Sequence, residues 1–291
     1  MDKKILVFGA TGQQGSAAVK QLLDNGFKVK AFTRDHQSAK AKQLQSLGAE
    51  IFEGSLENEI DIVNAMDDIY GTFLVLPPQW APTQQTDEAE WLTGKLIIDC
   101  AKQANVQQIV YSSVMGSELQ VSFRPLFKHT IESYLIHSGI KYTILKPAVF
   151  YENFYLPNYG LDQKLIYNPL PADMQLPFIS VEDIGVFARL AFQQPEAYNG
   201  KVLNITGELL TSADLAAAFS KALGVEITPI EIPVEAIKQQ NELLGLFMEA
   251  LHIHGYPKID VNEFRNLHPS ILSLNQWIEE YGKEKLLTIV E

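Results

Sequence analysis

Short apolar runs alternate with longer amphipathic segments over the first half of the chain. The apolar runs are too short for helices and are typical of buried parallel strands: residues 5–8, 29–33, 50–53, 72–76, 108–112 and 142–145. The segments between them carry helical patterns: residues 14–25, 39–47, 60–66, 88–103 and 128–137. This alternation predicts a doubly wound parallel sheet, because right-handed crossovers place helices on both faces.

The pattern changes after residue 147. Residues 149–177 are rich in Tyr, Phe, Pro and Asn and show no clear period, and a long loop of this kind is usually functional. Further on, cap signals at Ser180, Thr211 and Ser273 predict helices, and residues 200–205 have the pattern of a strand. We therefore predict an α/β domain over residues 1–150, with a smaller C-terminal α+β lobe over residues 151–291 packed on it.

A cluster of glycines connects the first predicted strand to the first predicted helix. The segment comprises Gly9, Ala10, Thr11, Gly12, Gln13, Gln14 and Gly15. Glycines at such a turn let the backbone approach a pyrophosphate, and the first N–H groups of the helix then face that anion. The spacing is Gly-x-x-Gly-x-x-Gly rather than Gly-x-Gly-x-x-Gly. A plain turn is the alternative, but the flanking strand and helix favour an NAD(P)-binding Rossmann fold.

Arg34 follows the second predicted strand, about 20 residues beyond the glycine loop. An NAD-specific site places an acidic residue there for the ribose 2′-hydroxyl, whereas an arginine accommodates the 2′-phosphate. The rival acids are Asp24, which falls inside a predicted helix, and Asp35, which comes after Arg34. The sequence therefore predicts NADP(H) as the cofactor. The alternative is a solvated arginine at a strand end.

Composition and charge limit the classes of binding partner and of site that the chain can have. The chain has 291 residues and a net charge of −12, which argues against direct nucleic-acid binding and against docking on an anionic membrane. The single cysteine, Cys100, excludes a disulfide framework, and its apolar surroundings predict a buried thiol. No histidine or cysteine cluster has metal-ligand spacing. The N-terminus lacks a signal-peptide layout and no apolar run approaches a membrane span, so we predict a cytoplasmic protein.

Several segments resemble the NmrA-like family of atypical short-chain dehydrogenase/reductase proteins. The resemblance rests on the glycine loop, on Thr33-Arg34, and on residues 48–54, 138–147, 150–154 and 272–279, so it covers nearly the whole chain. It implies an NADP(H)-binding Rossmann fold. Members of this family include NADPH-dependent reductases of quinones and of plant phenolics. They also include redox sensors and co-regulators that bind NADP(H) with little evident turnover.

The resemblance also implies further cofactor contacts. It places Ser55 and Leu56 near the adenine and the loop Leu76-Pro77-Pro78 on the adenine–ribose side. Relatives often carry Asp where this chain has Ser55, which weakens any contact with the adenine amine there. The residues that would lie near the nicotinamide are Phe150, Tyr151, Glu152 and Asn153. For Phe150 and Phe154, ordinary core packing is the favoured interpretation.

Lys128 is the candidate catalytic residue. Typical short-chain dehydrogenases use Tyr-x-x-x-Lys, but the residue four before Lys128 is Arg124. Lys128 matches the lysine of the NmrA-like group, which implies contact with the ribose or nicotinamide. Proton transfer is a second role, if the surroundings bring the amine toward neutrality. The third interpretation is a surface pair with Glu132. Ser112 and Ser113 end the fifth strand, where related enzymes keep a serine that orients a carbonyl; satisfying the local backbone is the alternative.

Two functions remain open at this point. The prediction is an NADP(H)-responsive regulator that senses redox state and acts through a protein partner. The alternative is an NADPH-dependent reductase of quinones or other conjugated carbonyls, with a small planar substrate. Aromatic residues that could line its pocket are Trp80, Tyr151, Tyr155 and Tyr159. A nucleotide-sugar enzyme is disfavoured because Tyr-x-x-x-Lys is missing.

Overall fold

The computed structural model describes residues 3–77, 83–121 and 124–291. Its strands, in chain order, are β1 (Lys4–Val7), β2 (Lys28–Thr33), β3 (Glu50–Glu53), β4 (Gly71–Leu74), β5 (Gln108–Ser112), β6 (Gln120–Val121), β7 (Arg124–Pro125), β8 (Lys141–Leu145), β9 (Val149–Phe150), β10 (Leu165–Asn168), β11 (Leu176–Ile179), β12 (Lys201–Leu203), β13 (Glu208–Leu210) and β14 (Thr228–Glu231).

The α-helices of the described ranges are α1 (Gln13–Asp24), α2 (Ala39–Ser46), α3 (Glu59–Ala65), α4 (Gln84–Gln103), α5 (Phe127–Ile136), α6 (Val181–Gln193), α7 (Pro195–Tyr198), α8 (Ser212–Leu223), α9 (Val234–Gln240), α10 (Glu242–His254), α11 (Val261–Leu267), α12 (Leu274–Trp277) and α13 (Lys283–Val290). Three short 3₁₀ turns follow β9: Tyr151–Tyr155, Pro157–Tyr159 and Leu161–Gln163. A π-helical turn, Ile278–Gly282, joins α12 to α13.

Seven parallel strands form the central sheet in the order β12-β8-β5-β4-β1-β2-β3. The strand order reverses between β1 and β4, since β2 and β3 lie on one side of β1 and the later strands on the other. In an open parallel sheet the crevice at such a reversal, outside the carboxyl ends of the strands, is where ligands bind. The predicted doubly wound sheet is confirmed, and the glycine loop leaves β1 at this point.

Apolar side chains cover both faces of the sheet. Helices α1 and α6 bury Leu22 and Phe187 on one face, while α4 and α5 bury Ile98 and Ile131 on the other. The helical patterns that predicted these elements thus face the sheet, as amphipathic helices in a layered fold must. Cys100 lies in the second of these layers, and burial raises the pKa of its thiol.

The chain beyond residue 150 contributes to two parts of the molecule. Strand β12 pairs with β8 at the edge of the central sheet, and α6 packs along α1. The predicted boundary near residue 150 assigned both elements to the C-terminal lobe, and the structure places them on the sheet. A local pattern predicts the element but does not reveal which part of the molecule it will join.

The remaining C-terminal elements enclose a core of their own. Aromatic side chains dominate it: Tyr151, Phe154, Phe178, Phe219 and Trp277. Two small sheets, β9-β11-β13 and β10-β14, frame this core. The predicted caps are present at Thr211 and Ser273, each in a complete capping box. Among the described residues, no helix is both long and apolar enough to cross a membrane.

Candidate functional site

Close backbone approach shapes the glycine loop. Gly9 has a φ of +67°, and a Cβ added there would lie 2.6 Å from the Val75 carbonyl oxygen. A Cβ at Gly15 would lie 2.1 Å from the carbonyl oxygen of Gly9. The Gly12 N–H donates to that same oxygen at 2.9 Å, closing the turn. The loop therefore excludes side chains at Gly9 and at Gly15.

The N-terminus of α1 is open toward solvent. Gly12 is its N-cap and supplies no side-chain cap, and Gly12 and Gln13 are both exposed. Ala10 is buried beneath the loop and Thr11 is half-buried beside it. The first N–H groups of a helix have no intrahelical partner, and they carry the positive end of the helix dipole. This loop can bind an anion through its backbone.

Gln14 links the glycine loop to the end of β5. Its side-chain carbonyl oxygen accepts a hydrogen bond of 2.6 Å from the Ser112 hydroxyl. Both residues lie at the carboxyl edge of the sheet, on either side of the point where the strand order reverses. The Ser112 hydroxyl therefore bonds to another side chain rather than to the local backbone.

Arg34 is exposed at the carboxyl end of β2 and makes no ion pair within the described ranges. The nearby acids are engaged elsewhere. The Glu53 carboxylate accepts from the His36 N–H at 2.8 Å and pairs with the His36 ring, and these contacts lower the pKa of Glu53. Asp35 accepts from the Gln37 N–H at 2.8 Å within the turn. The Arg34 guanidinium is thus left available for an external anion.

The residues predicted near the adenine follow the carboxyl ends of β3 and β4. Ser55 caps the turn before α3, where its hydroxyl accepts from the Glu57 N–H at 3.2 Å. Leu56 is half-buried, Leu76 is buried and Pro77 is exposed. Pro78 and Trp80 lie outside the described residues. Because β1 to β4 are parallel, these ends share one edge with the glycine loop and Arg34.

Lys128 stands in the first turn of α5, and its ammonium group pairs with the Glu90 carboxylate of α4. The Glu90 side chain is 4% exposed and the Lys128 side chain 24%. The alternative prediction of a surface pair between Lys128 and Glu132 is wrong, because Lys128 pairs with Glu90 and the Glu132 carboxylate is buried among other partners. Neither Glu90 nor its pairing was predicted, since 38 residues separate it from Lys128.

A buried polar cluster surrounds the Glu132 carboxylate. It accepts from the Ser113 hydroxyl and, at 2.6 Å, from the Ser117 hydroxyl. The Lys146 ammonium lies 3.3 Å away and the His129 ring nitrogen 3.1 Å away. The cluster was not predicted from the sequence. The only available signal was a set of polar residues within apolar segments, which does not reveal its partners.

The segment predicted near the nicotinamide is largely committed to the C-terminal core. The Tyr151 ring stacks on Phe178 with centroids 6.0 Å apart, and its hydroxyl donates to Glu208 at 3.3 Å. Burial raises the pKa of this phenol well above its usual range. Phe150 is half-buried in β9, and Phe154 is buried as expected.

Glu152 bridges three elements. Its carboxylate accepts from the Ser180 hydroxyl at 3.0 Å, from the Val181 N–H at 3.1 Å and from the Trp277 indole at 2.8 Å. Burial raises its pKa to about 7. Asn153 is half-buried and donates to the Tyr159 hydroxyl at 3.0 Å. Of this segment, Asn153 keeps a polar side chain that is partly open to solvent.

No group of His, Cys, Asp and Glu side chains in the described part of the chain could hold a metal ion. The polar groups at the edge of the sheet instead suit an organic anion. They are backbone N–H groups, one uncommitted guanidinium and one partly exposed ammonium.

Comparison with known proteins identifies relatives that match most of the chain. Residues 1–273 match the model of the NmrA-like family. A curated relative is the NmrA-like family domain-containing oxidoreductase notA′ of Aspergillus versicolor. It is 31% identical over 253 residues, which cover 76% of this chain and 69% of the relative.

Solved structures share the fold. One is NmrA, a negative transcriptional regulator, in complex with NADP: 23% identical, with a TM-score of 0.77, covering 99% of this chain and 97% of NmrA. Another is the triphenylmethane reductase of Citrobacter sp. complexed with NADP(H): 16% identical, with a TM-score of 0.78, covering 96% and 99%. At these identities the likeness concerns the fold alone.

Proposed function

The chain belongs to the NmrA-like family, and on that premise we propose that it binds NADP(H) along the carboxyl edge of its central sheet. The observation that carries this proposal is the glycine loop, where the backbone approach at Gly9 and Gly15 leaves no room for a Cβ. Such a cradle fits a pyrophosphate. NmrA and triphenylmethane reductase, which share the fold, have been solved with NADP and NADP(H) respectively.

The residues around the loop would take the other parts of the cofactor. Arg34 would bind the 2′-phosphate, since a guanidinium matches phosphate oxygens bidentately. Leu56, Leu76 and Pro77 would flank the adenine and its ribose, with the Ser55 hydroxyl beside them. Lys128 and Asn153 would contact the nicotinamide ribose, and Phe150 would supply apolar surface there.

Affinity for the two cofactors tests the assignment of Arg34. In Arg34→Ala the ratio of NADPH to NADH affinity, measured by calorimetric titration, should fall about 10-fold or more, because a charged hydrogen bond contributes about 1.5–3 kcal/mol. Lys42→Ala removes an equally exposed cation from α2 and should leave the ratio unchanged. An unchanged ratio in Arg34→Ala would remove the 2′-phosphate from this position.

The site chemistry favours an NADPH-dependent reductase of planar conjugated carbonyls such as quinones. The bound cofactor supplies the hydride. Lys128 would hold the nicotinamide ribose and place a protonated ammonium near the developing oxyanion. A quinone accepts hydride without a strong enzymic acid, so the absence of tyrosine at position 124 does not prevent the reaction. The supporting observation is that the buried Glu90 carboxylate fixes the Lys128 ammonium.

Oxidation of NADPH, followed at 340 nm with a panel of quinones, tests this activity. Turnover should fall about 100-fold in Lys128→Ala, within the range that one group stabilising a developing oxyanion contributes. Lys102→Ala, which removes an exposed ammonium from the end of α4, should retain full turnover. Tight NADPH binding without turnover on any acceptor would count against the reductase.

A redox-responsive regulator is the second candidate, and Arg124 favours it because the usual proton donor is missing. NmrA, which shares the fold, is a negative transcriptional regulator. The net charge of −12 disfavours direct contact with DNA, so a protein partner would carry the signal. Hydrogen exchange of the C-terminal lobe should then differ between the NADP⁺ and NADPH complexes, and identical exchange would argue against sensing.

A further inference from the structure

The ion pair between Glu90 and Lys128 joins two helices on one face of the central sheet. Helix α4 carries Glu90, helix α5 carries Lys128, and the two helices pack against each other. The carboxylate is enclosed, while the ammonium reaches it from the more exposed side. A buried carboxylate requires a partner, so its position determines where the Lys128 side chain points.

The groups that face Glu90 come from three elements. Asp87 lies about one turn earlier on α4 and is buried. Tyr111 of β5 is fully buried, and burial together with the charges of Glu90 and Glu132 raises the pKa of its phenol well above its usual range. Lys128 comes from α5. Within the described ranges, Lys128 is the one cation that forms an ion pair with Glu90.

The second buried acid of this face has a cation of its own. Glu132 lies near Lys146, which also pairs with Glu118 at 2.5 Å. Each buried carboxylate thus has its own lysine: Lys128 pairs with Glu90, and Lys146 pairs with Glu132. Within the described ranges Lys128 forms its ion pair with Glu90 alone, and Glu90 lies close enough to Tyr111 to influence the pKa of its phenol. Tyr111 immediately precedes Ser112, whose hydroxyl bonds to Gln14 of the glycine-loop helix.

We propose that Glu90 is the positioning residue of this site. It anchors the Lys128 ammonium through its buried carboxylate and directs it toward the carboxyl edge of the central sheet, in a chain that lacks the proton-donating tyrosine of Tyr-x-x-x-Lys. This inference rests on the proposed function only in assuming that Lys128 acts on the cofactor. The anchoring itself is a property of the protein without any ligand.

Amine reactivity tests the anchoring without cofactor or turnover. Trace labelling with acetic anhydride at pH 8, followed by mass spectrometry, reports how much of each lysine is neutral and accessible. In Glu90→Gln, Lys128 should react several-fold faster, because its amine is released from the ion pair with the buried carboxylate. The other lysines serve as internal references. Glu88→Gln removes the same charge from an exposed position of the same helix and should leave Lys128 unchanged.

Two labelling results would contradict the anchoring of Lys128 by Glu90. Unchanged Lys128 labelling in Glu90→Gln, or the same increase in Glu88→Gln, would overturn the proposal. If Glu90→Gln accelerates the labelling of all lysines, the substitution loosens the fold, and Glu90→Asp decides instead. That variant keeps the charge on a shorter side chain, so a positioning role predicts intermediate labelling of Lys128 alone, whereas labelling at the wild-type rate would refute it.

Steady-state kinetics extends the test to the reaction. In Glu90→Gln, kcat should fall about 10-fold with little change in the KM for the quinone. Glu90→Asp should restore part of kcat. If the wild-type protein does not oxidise NADPH, the proposed reductase is wrong, while the labelling result still decides whether Glu90 anchors Lys128.

Discussion

Gln14 in the first turn of α1 accepts a hydrogen bond of 2.6 Å from the Ser112 hydroxyl at the end of β5. The bond spans the place where the strand order of the central sheet reverses. It therefore fixes the glycine loop relative to the carboxyl end of β5. We expect Gln14→Ala to weaken NADPH binding about 3- to 10-fold, which corresponds to one net hydrogen bond of about 1 kcal/mol, measured by calorimetric titration.

Gln13→Ala is the matched control for this substitution, because Gln13 is the exposed neighbour in the same turn. It should leave the affinity for NADPH within error. Equal losses in the two variants would mean that helix propensity, and not the bond to Ser112, determines the effect.

The backbones of helices α1 and α6 approach each other closely at Gly185. A Cβ added there would lie 2.7 Å from the Ala17 carbonyl carbon and 2.8 Å from its oxygen. Although alanine gains about 1 kcal/mol of helix propensity over glycine, Gly185→Ala should lower the free energy of unfolding by about 1–3 kcal/mol, because overpacking against backbone cannot relax by rotation. Urea unfolding followed by circular dichroism measures this.

Gly94 of α4 provides the comparison. The Cβ added there would first meet the end of the Ile131 side chain, at 2.8 Å, and a side chain can change rotamer. Gly94→Ala should therefore cost less than Gly185→Ala. The reverse order would show that α1 and α6 can move apart more easily than Ile131 can repack.

Glu152 makes stability depend on pH. Its pKa in the folded protein is about 7, above its ordinary value of 4.5, because the carboxyl is buried. The folded chain therefore binds the proton more tightly than the unfolded chain does. This contribution to stability is complete below about pH 4.5 and is lost as the pH rises through 7, by about 3 kcal/mol in total.

Urea unfolding of Glu152→Gln at a series of pH values between 4.5 and 8 checks this slope. The variant should lose the part of the slope that Glu152 contributes, while Glu263→Gln, an exposed change on α11, should retain it. A wild-type slope that persists in Glu152→Gln would assign the titration to another group.

Local features of the sequence predicted the elements of the sheet closely. The apolar runs at residues 50–53 and 108–112 coincide with β3 and β5, and the helix predicted over residues 39–47 is α2 within one residue. Buried parallel strands and amphipathic helices leave a periodic signal in adjacent residues, and glycine spacing marks a turn. Each of these signals lies within one segment, so it can be recognised without knowing which distant residues that segment contacts.

Pairings between distant segments could not be predicted in this way. The Glu90–Lys128 pair and the placement of β12 beside β8 both depend on how helices and strands are arranged in space. Ser180 and Asp183 show that even within one motif some contacts can be predicted from the sequence and others cannot. The predicted cap is present, since the Ser180 hydroxyl accepts from the Glu182 N–H at 3.2 Å. The contact of Asp183 with the Leu272 N–H could not be predicted from the same residues.

Asp183 connects helix α6 of the sheet layer to the segment before α12. Its carboxylate, 3% exposed, accepts from the His268 ring at 2.8 Å and from the Leu272 N–H at 3.1 Å. We expect Asp183→Asn to destabilise the protein by about 1–3 kcal/mol, because one carboxylate oxygen becomes a donor that faces another donor in a buried site.

A double-mutant cycle with His268→Gln separates the two contacts. Since the two residues touch, the cycle should give a coupling energy of about 1–3 kcal/mol by urea unfolding. His268→Gln alone should cost less than Asp183→Asn, because the Leu272 N–H keeps its acceptor. A coupling energy near zero would assign the stabilising role of Asp183 to the backbone of Leu272 alone, and the two parts of the molecule would then be joined there without the histidine.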